Sequence, residues 1–84
     1  EIPMEIKLKK QPQKYLASVD RATRNKLLKA LDQLSRLEGD IVPLAGKKDR
    51  YRYKIAHYRI TFEWIKGEFI ITVIEINTRT NIKY

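Results

Sequence analysis

Between Gly46 and Thr61 the sequence carries a dense run of cations and one acid, Asp49. Arg50, Arg52 and Lys54 alternate with Tyr51, Tyr53 and Ile55, and Arg59 follows in the next alternating stretch. Residues two apart in a strand point the same way, about 6.6–6.8 Å apart per step, so the three cations share a face. An antiparallel neighbour brings Arg59 across from them. Phosphodiester spacing is similar, so one strand can span adjacent phosphates. Arginine grips a phosphate bidentately, while lysine acts as a compact charge or, desolvated, as a proton acceptor. Crowded like charges favour the neutral form of a lysine among them, which makes Lys54 a candidate general base. The plain alternative is a solvated cationic strand face. Lys47, Lys48, Arg50 and Lys83 extend the basic surface as candidate phosphate contacts.

Other groups carry less. Arg79 follows a long apolar stretch and Tyr84 is the last residue. His57 falls in a tight connection and reads as solvent-exposed. Glu63 and Glu75 are isolated in sequence, and each is as easily a structural partner of Arg59 or Arg79 as a base. Tyr15, Phe62, Trp64 and Phe69 read as core rather than as base-stacking residues. The chain has no Cys and one His, which excludes a disulfide framework, a thiol nucleophile and a multi-histidine metal site. No paired carboxylates, glycine-rich phosphate loop or metal-ligand spacing occur, so neither metal nor cofactor is expected.

These groups sit on a chain of 84 residues with net charge +8, from 18 Lys/Arg against 10 Asp/Glu. That length is one small domain, expected over residues 4–84. Residues 1–3 are set apart as an expression remnant or a trimmed N-terminus. Hydrophobic residues at 43% and charged residues at 33% describe a globular chain rather than a disordered one. The positive balance favours a polyanionic partner. No apolar run approaches the roughly 20 residues that span a bilayer, and no signal peptide is visible, so no membrane partner is expected and the cytoplasm is the default compartment.

Met4–Lys9 alternates with period two and predicts a half-buried strand. Pro12 ends it and suits the first turn of a short helix over Gln13–Ala17. Asp20 is an N-cap candidate for a helix over Arg21–Glu38. Leu27, Leu31 and Leu34 form its stripe, Leu28, Ala30 and Leu37 widen it, and Gly39 is the expected left-handed stop. Asp40–Asp49 reads as a loop. Strands follow at Arg50–Ile55 and Tyr58–Trp64, joined by Ala56-His57. A two-residue turn at Lys66-Gly67 leads into Glu68–Ile76, whose continuous apolar character suggests a central strand covered on both faces. The polar tail from Asn77 is read as a possible short edge strand. The expected class is α+β in two layers, a small antiparallel sheet with two N-terminal helices on one face, in the order β-α-α-β-β-β.

This order resembles the RelE/ParE toxin superfamily. So do the segment Tyr51-Arg52-Tyr53-Lys54-Ile55-Ala56-His57-Tyr58-Arg59-Ile60 and the ending from Ile76 to Tyr84, and the likeness is strongest to the RelE branch. The resemblance spans Met4 to Tyr84. It implies the toxin of a type II toxin–antitoxin pair, an endoribonuclease that cuts mRNA in the ribosomal A site without a metal. The 2′-hydroxyl attacks the adjacent phosphate and leaves a 2′,3′-cyclic phosphate. Carried over by position, Arg52 binds the phosphate and Lys54 is the base. Arg59 and Arg79 stabilise transition-state charge and assist the leaving group, and Tyr84 stacks on or orients the nucleotide. The resemblance makes the phosphate contacts of Lys47, Lys48, Arg50 and Lys83 RNA contacts. The family tyrosine often follows that arginine by four residues, where this chain has Lys83, with Tyr84 one further on. ParE-type relatives share the fold but target DNA gyrase and lack the nuclease cluster, which is the alternative reading. The resemblance also implies a cognate antitoxin, acidic and partly disordered when free. The Leu27–Leu37 helix and the sheet edge are candidate docking surfaces for it.

Overall fold

The computed structural model describes residues 3–78. Seven elements follow in order: β1 (Glu5–Leu8), α1 (Lys10–Ser18), α2 (Arg21–Leu34), β2 (Asp40–Pro43), β3 (Arg50–Ile55), β4 (Tyr58–Trp64) and β5 (Ile70–Thr78). The strands form one sheet in the order β1-β5-β4-β3-β2. β2 to β5 run as an antiparallel meander, and β1 pairs with β5 in parallel, from Glu5 opposite Ile70 to Leu8 opposite Val73. The sheet is thus mixed and five-stranded rather than wholly antiparallel. The segment read as a loop, Asp40–Asp49, begins with the edge strand β2, whose Ile41 and Val42 face Tyr53 and Arg52 across the ladder.

Both helices cover one face. Leu27, Ala30, Leu31 and Leu34 recur at helical spacing and are buried with Leu16 of α1. They pack on Tyr53, Ile60, Phe62, Ile71, Val73 and Ile76. In β5 the register shifts between Thr61 and Phe62 of β4, so Thr61 faces Glu75 while Phe62 faces Val73. The extra residue reverses the alternation, and Ile76 rather than Glu75 then enters the core. β5 is central but covered fully on one side only, since Ile70, Thr72 and Ile74 are half-buried.

Pro12 lies inside the first turn of α1, where amides lack helical partners anyway, so the helix begins at Lys10 rather than near Gln13. Gln11 donates to the Ile76 carbonyl at 3.0 Å and accepts from the Ile76 amide at 2.9 Å. Arg24 donates to the carbonyls of Leu16 and Val19 at 2.8 and 2.9 Å, capping α1 from α2.

α2 stops at Leu34, short of the expected Glu38. The Leu37 amide bonds the Leu34 carbonyl at 2.8 Å and the Glu38 amide reaches Gln33 at 3.1 Å, the paired bonds of a Schellman stop. Its left-handed residue is Leu37, at φ 55°, not Gly39. Gly39 has another task. At φ 114° it lies so close to Tyr53 that a Cβ there would fall 2.5 Å from Tyr53 Cε1. Phe69, expected in the core, is 69% exposed, because it lies in the β4–β5 connection before the sheet resumes. That connection is longer than a two-residue turn, since the last β4–β5 pair is Trp64 with Ile71.

Candidate nucleic-acid interface

The face turned away from the helices carries the cations. Tyr51, Tyr53 and Ile55 belong to the helix-covered side, so Arg50, Arg52 and Lys54 project from the other. Register then orders this face in rows. Asp40, Lys54, Arg59 and Asn77 form one row across β2, β3, β4 and β5. Val42, Arg52, Thr61 and Glu75 form the next, and Arg50, Glu63 and Thr72 a third. Arg52 and Arg50 are half-buried, while Lys54 and Arg59 are exposed.

Lys54 and Arg59 are direct cross-strand partners. Like charges placed this way cost roughly 0.2–1 kcal/mol each pair. Among the described residues the ion pairs within 4.0 Å are those of Arg36 with Asp32 and Glu38, at 2.9 and 3.6 Å, and neither involves Lys54 or Arg59. Asp40 lies next to Lys54 in register, a nearness that a loop over Asp40–Asp49 does not predict. Glu63 stands opposite Arg50 rather than Arg59. Arg52 Nη1 is buried and has no hydrogen-bond partner among the described residues. A buried guanidinium donor without a partner carries a desolvation cost of about 1–3 kcal/mol or more, and an anion would relieve it.

At the end of the first row, Lys54, Ala56, His57, Tyr58 and Arg59 line a cavity of about 110 Å³. The β3–β4 link is only two residues long, with Ile55 paired to Tyr58, and Ala56 takes φ 52° to close it. Tyr58 is on the helix-facing side of β4, where its charge, after burial, raises the pKa of Tyr15 above the ordinary phenol value. Lys47 and Lys48 are exposed in the β2–β3 loop. Arg79, Lys83 and Tyr84 lie outside the described residues. The register therefore brings Arg50, Arg52, Lys54 and Arg59 to one face, and His57, exposed in the β3–β4 turn as expected, lines the cavity at its end. Among the described residues, no group of His, Asp and Glu could hold a metal ion, and no helix is long and apolar enough to cross a membrane.

No protein-family model matches the sequence, and comparison with curated proteins finds no relative. Solved structures do match. A chain of the archaeal RelE–RelB complex from Pyrococcus horikoshii OT3 is 24% identical, with a TM-score of 0.75 over 96% of this chain and 100% of that one. A chain of the toxin–antitoxin complex RelBE2 from Mycobacterium tuberculosis is 14% identical, with a TM-score of 0.77 over 93% and 100%. The isolated E. coli RelE toxin is 20% identical, with a TM-score of 0.70 over 89% and 83%. These likenesses show the fold, a small two-layer α+β domain like those of the RelE chains in the matching structures.

Proposed function

We propose that the chain is the toxin of a type II toxin–antitoxin pair and an endoribonuclease that cuts mRNA in the ribosomal A site. The observation that carries this reading is the Lys54–Arg59 pair beside Arg52 Nη1, which has no partner among the described residues, on the sheet face that the helices leave open. A like-charge pair and a buried donor both gain from a phosphodiester, and neither helps the free domain.

In the proposed reaction Arg52 holds the scissile phosphate. Lys54 takes the proton from the 2′-hydroxyl, and the 2′-oxygen attacks phosphorus. Arg59 neutralises the charge that grows on the phosphorane, the role in which fixed cations contribute most. The 5′-oxygen departs, leaving a 2′,3′-cyclic phosphate. Arg79 and Tyr84 are proposed to complete the site from the chain's end, Arg79 on the leaving group and Tyr84 against the nucleotide. Lys47, Lys48, Arg50 and Lys83 are proposed to hold flanking phosphates. The partner is a RelB-like antitoxin with an acidic segment that folds over the cationic domain. RelE–RelB complexes among the matching structures support that reading.

Primer extension on translating ribosomes tests the reaction. Wild type should cut within codons, and Lys54→Ala should lower the rate by about 10²–10⁴-fold, the usual contribution of a positioned base. Uncut messages together with trapped gyrase–DNA complexes would replace this reading by the ParE-like one. Binding of purified antitoxin should raise the melting temperature by linkage, and an unchanged melting curve would remove the partner from the proposal.

A further inference from the structure

We propose that His57 is a catalytic residue, the acid that protonates the leaving 5′-oxygen. The inference rests on the ribonuclease reading and adds to it a proton donor. Cyclising cleavage needs two proton transfers, one off the 2′-hydroxyl and one onto the departing oxygen. Lys54 accounts for the first. The arginines of this face cannot supply the second readily, because a guanidinium is not deprotonated in proteins. They stabilise charge instead.

The cavity at the β3–β4 turn gathers the remaining groups. It is lined by Lys54, Ala56, His57, Tyr58 and Arg59, and among the described residues no carboxylate borders it. At about 110 Å³ it is small. Pockets that enclose a drug-sized ligand run to about 300–1,000 Å³, so this one suits a phosphoryl group and its leaving oxygen rather than a whole nucleotide. Tyr58 shares its strand face with Ile60 and Phe62, toward the helices. Histidine is the side chain most often used as a general acid, and His57 is the chain's one histidine. The two-residue turn ties it to both cations. Lys54 lies three residues before it and Arg59 two after, and those two are paired across the ladder. Ala56 takes a left-handed conformation uncommon for a residue with a Cβ, so the short link that sets His57 at the cavity is held under strain.

The step balances. The Lys54 amine accepts the 2′-hydroxyl proton while the 2′-oxygen–phosphorus bond forms. The bond from phosphorus to the 5′-oxygen breaks, and its electron pair stays on oxygen. His57 delivers a proton to that oxygen. The products are a 2′,3′-cyclic phosphate and a 5′-hydroxyl, with Lys54 protonated and His57 neutral.

The test uses ribosome-bound mRNA with one scissile linkage, made either with the natural 5′-oxygen or with sulfur in its place. A thiolate departs without protonation. His57→Gln in the full chain should cut the oxygen message about 10²–10⁴-fold more slowly than wild type, the range for a lost general acid. It should cut the sulfur message at close to the wild-type rate. Lys54→Ala should be slow on both. The ratio of the two rates within one preparation does not depend on how much of the variant is folded. Equal loss on both messages, or no loss on either, would overturn the assignment of His57 and leave the nuclease reading intact. A wild-type protein that cuts neither message would overturn both.

Discussion

The side-chain amide of Gln11 makes with Ile76 the two hydrogen bonds that a neighbouring strand would make, one donated at 3.0 Å and one accepted at 2.9 Å. β1 ends at Leu8 opposite Val73, so beyond that point a side chain from α1 takes over the ladder. The pair fastens the helix layer to the stretch of β5 that leads through Asn77, the neighbour of Arg59.

Gln11→Ala should therefore destabilise the domain by about 1–3 kcal/mol, the cost of leaving buried backbone groups unsatisfied. Amide exchange at Ile76 should speed up more than at Ile60. Equal protection at both amides in wild type and variant would show that water replaces the glutamine without penalty.

Gly39 and Tyr53 give a steeper prediction. A methyl group at residue 39 meets the Tyr53 ring at 2.5 Å and also faces the strain of φ 114°. Tyr53 is 1% exposed and its hydroxyl donates to Gln33 Oε1 at 3.3 Å, so the ring has little room to retreat. Left-handed strain of about 1–2 kcal/mol and overpacking of about 1–3 kcal/mol together predict a loss of about 2–5 kcal/mol for Gly39→Ala in urea unfolding. A loss under 1 kcal/mol would mean that the ring moves freely.

Arg24→Ala should cost about 1.5–3 kcal/mol, because two carbonyls at the end of α1 lose a charged donor. Arg24→Lys should restore only part of this, since an ammonium cannot serve both carbonyls with the fork of a guanidinium. Full recovery in the lysine variant would reduce the contact to simple charge.

The open face should show function opposed to stability. Lys54→Met removes the like-charge pair with Arg59 and should raise stability by roughly 0.2–1 kcal/mol. Added salt should stabilise wild type more than the variant, because screening relieves the same repulsion. A variant that melts lower than wild type at low salt would mean that Lys54 is held favourably by its neighbours.

Asp20 supplies the acid limb. The Thr23 hydroxyl first, and the first-turn amides after it, hold its carboxyl below the ordinary 3.8, although no capping bond of full geometry forms. A lowered folded pKa contributes stability above the unfolded value of about 3.9 and loses it as pH falls through the folded one. The melting temperature of Asp20→Asn should thus lie below wild type at pH 7, and the gap should close below about pH 4. A gap that persists into acid would assign the effect to something other than the charge.

Periodicity alone determined much of this protein. The α2 stripe, the β3 and β4 strands and the shared face of Arg50, Arg52 and Lys54 all follow from local alternation, because each element buries a face of its own. What the pattern could not decide was set by partners distant in the chain. β2 offers only Ile41 and Val42, adjacent rather than alternating, and becomes a strand because β3 supplies its ladder. The parallel seat of β1 depends on β5, more than 60 residues away. Phe69 looks like core by composition, yet the length of the β4–β5 connection leaves it in solvent. Leu37 rather than Gly39 ends α2, because Gly39 is needed where the backbone passes the Tyr53 ring. The open face divides in the same way. Residue types name its cations, whereas the nearness of Asp40, His57 and Asn77 to them is a matter of register, which arises only when separate strands meet.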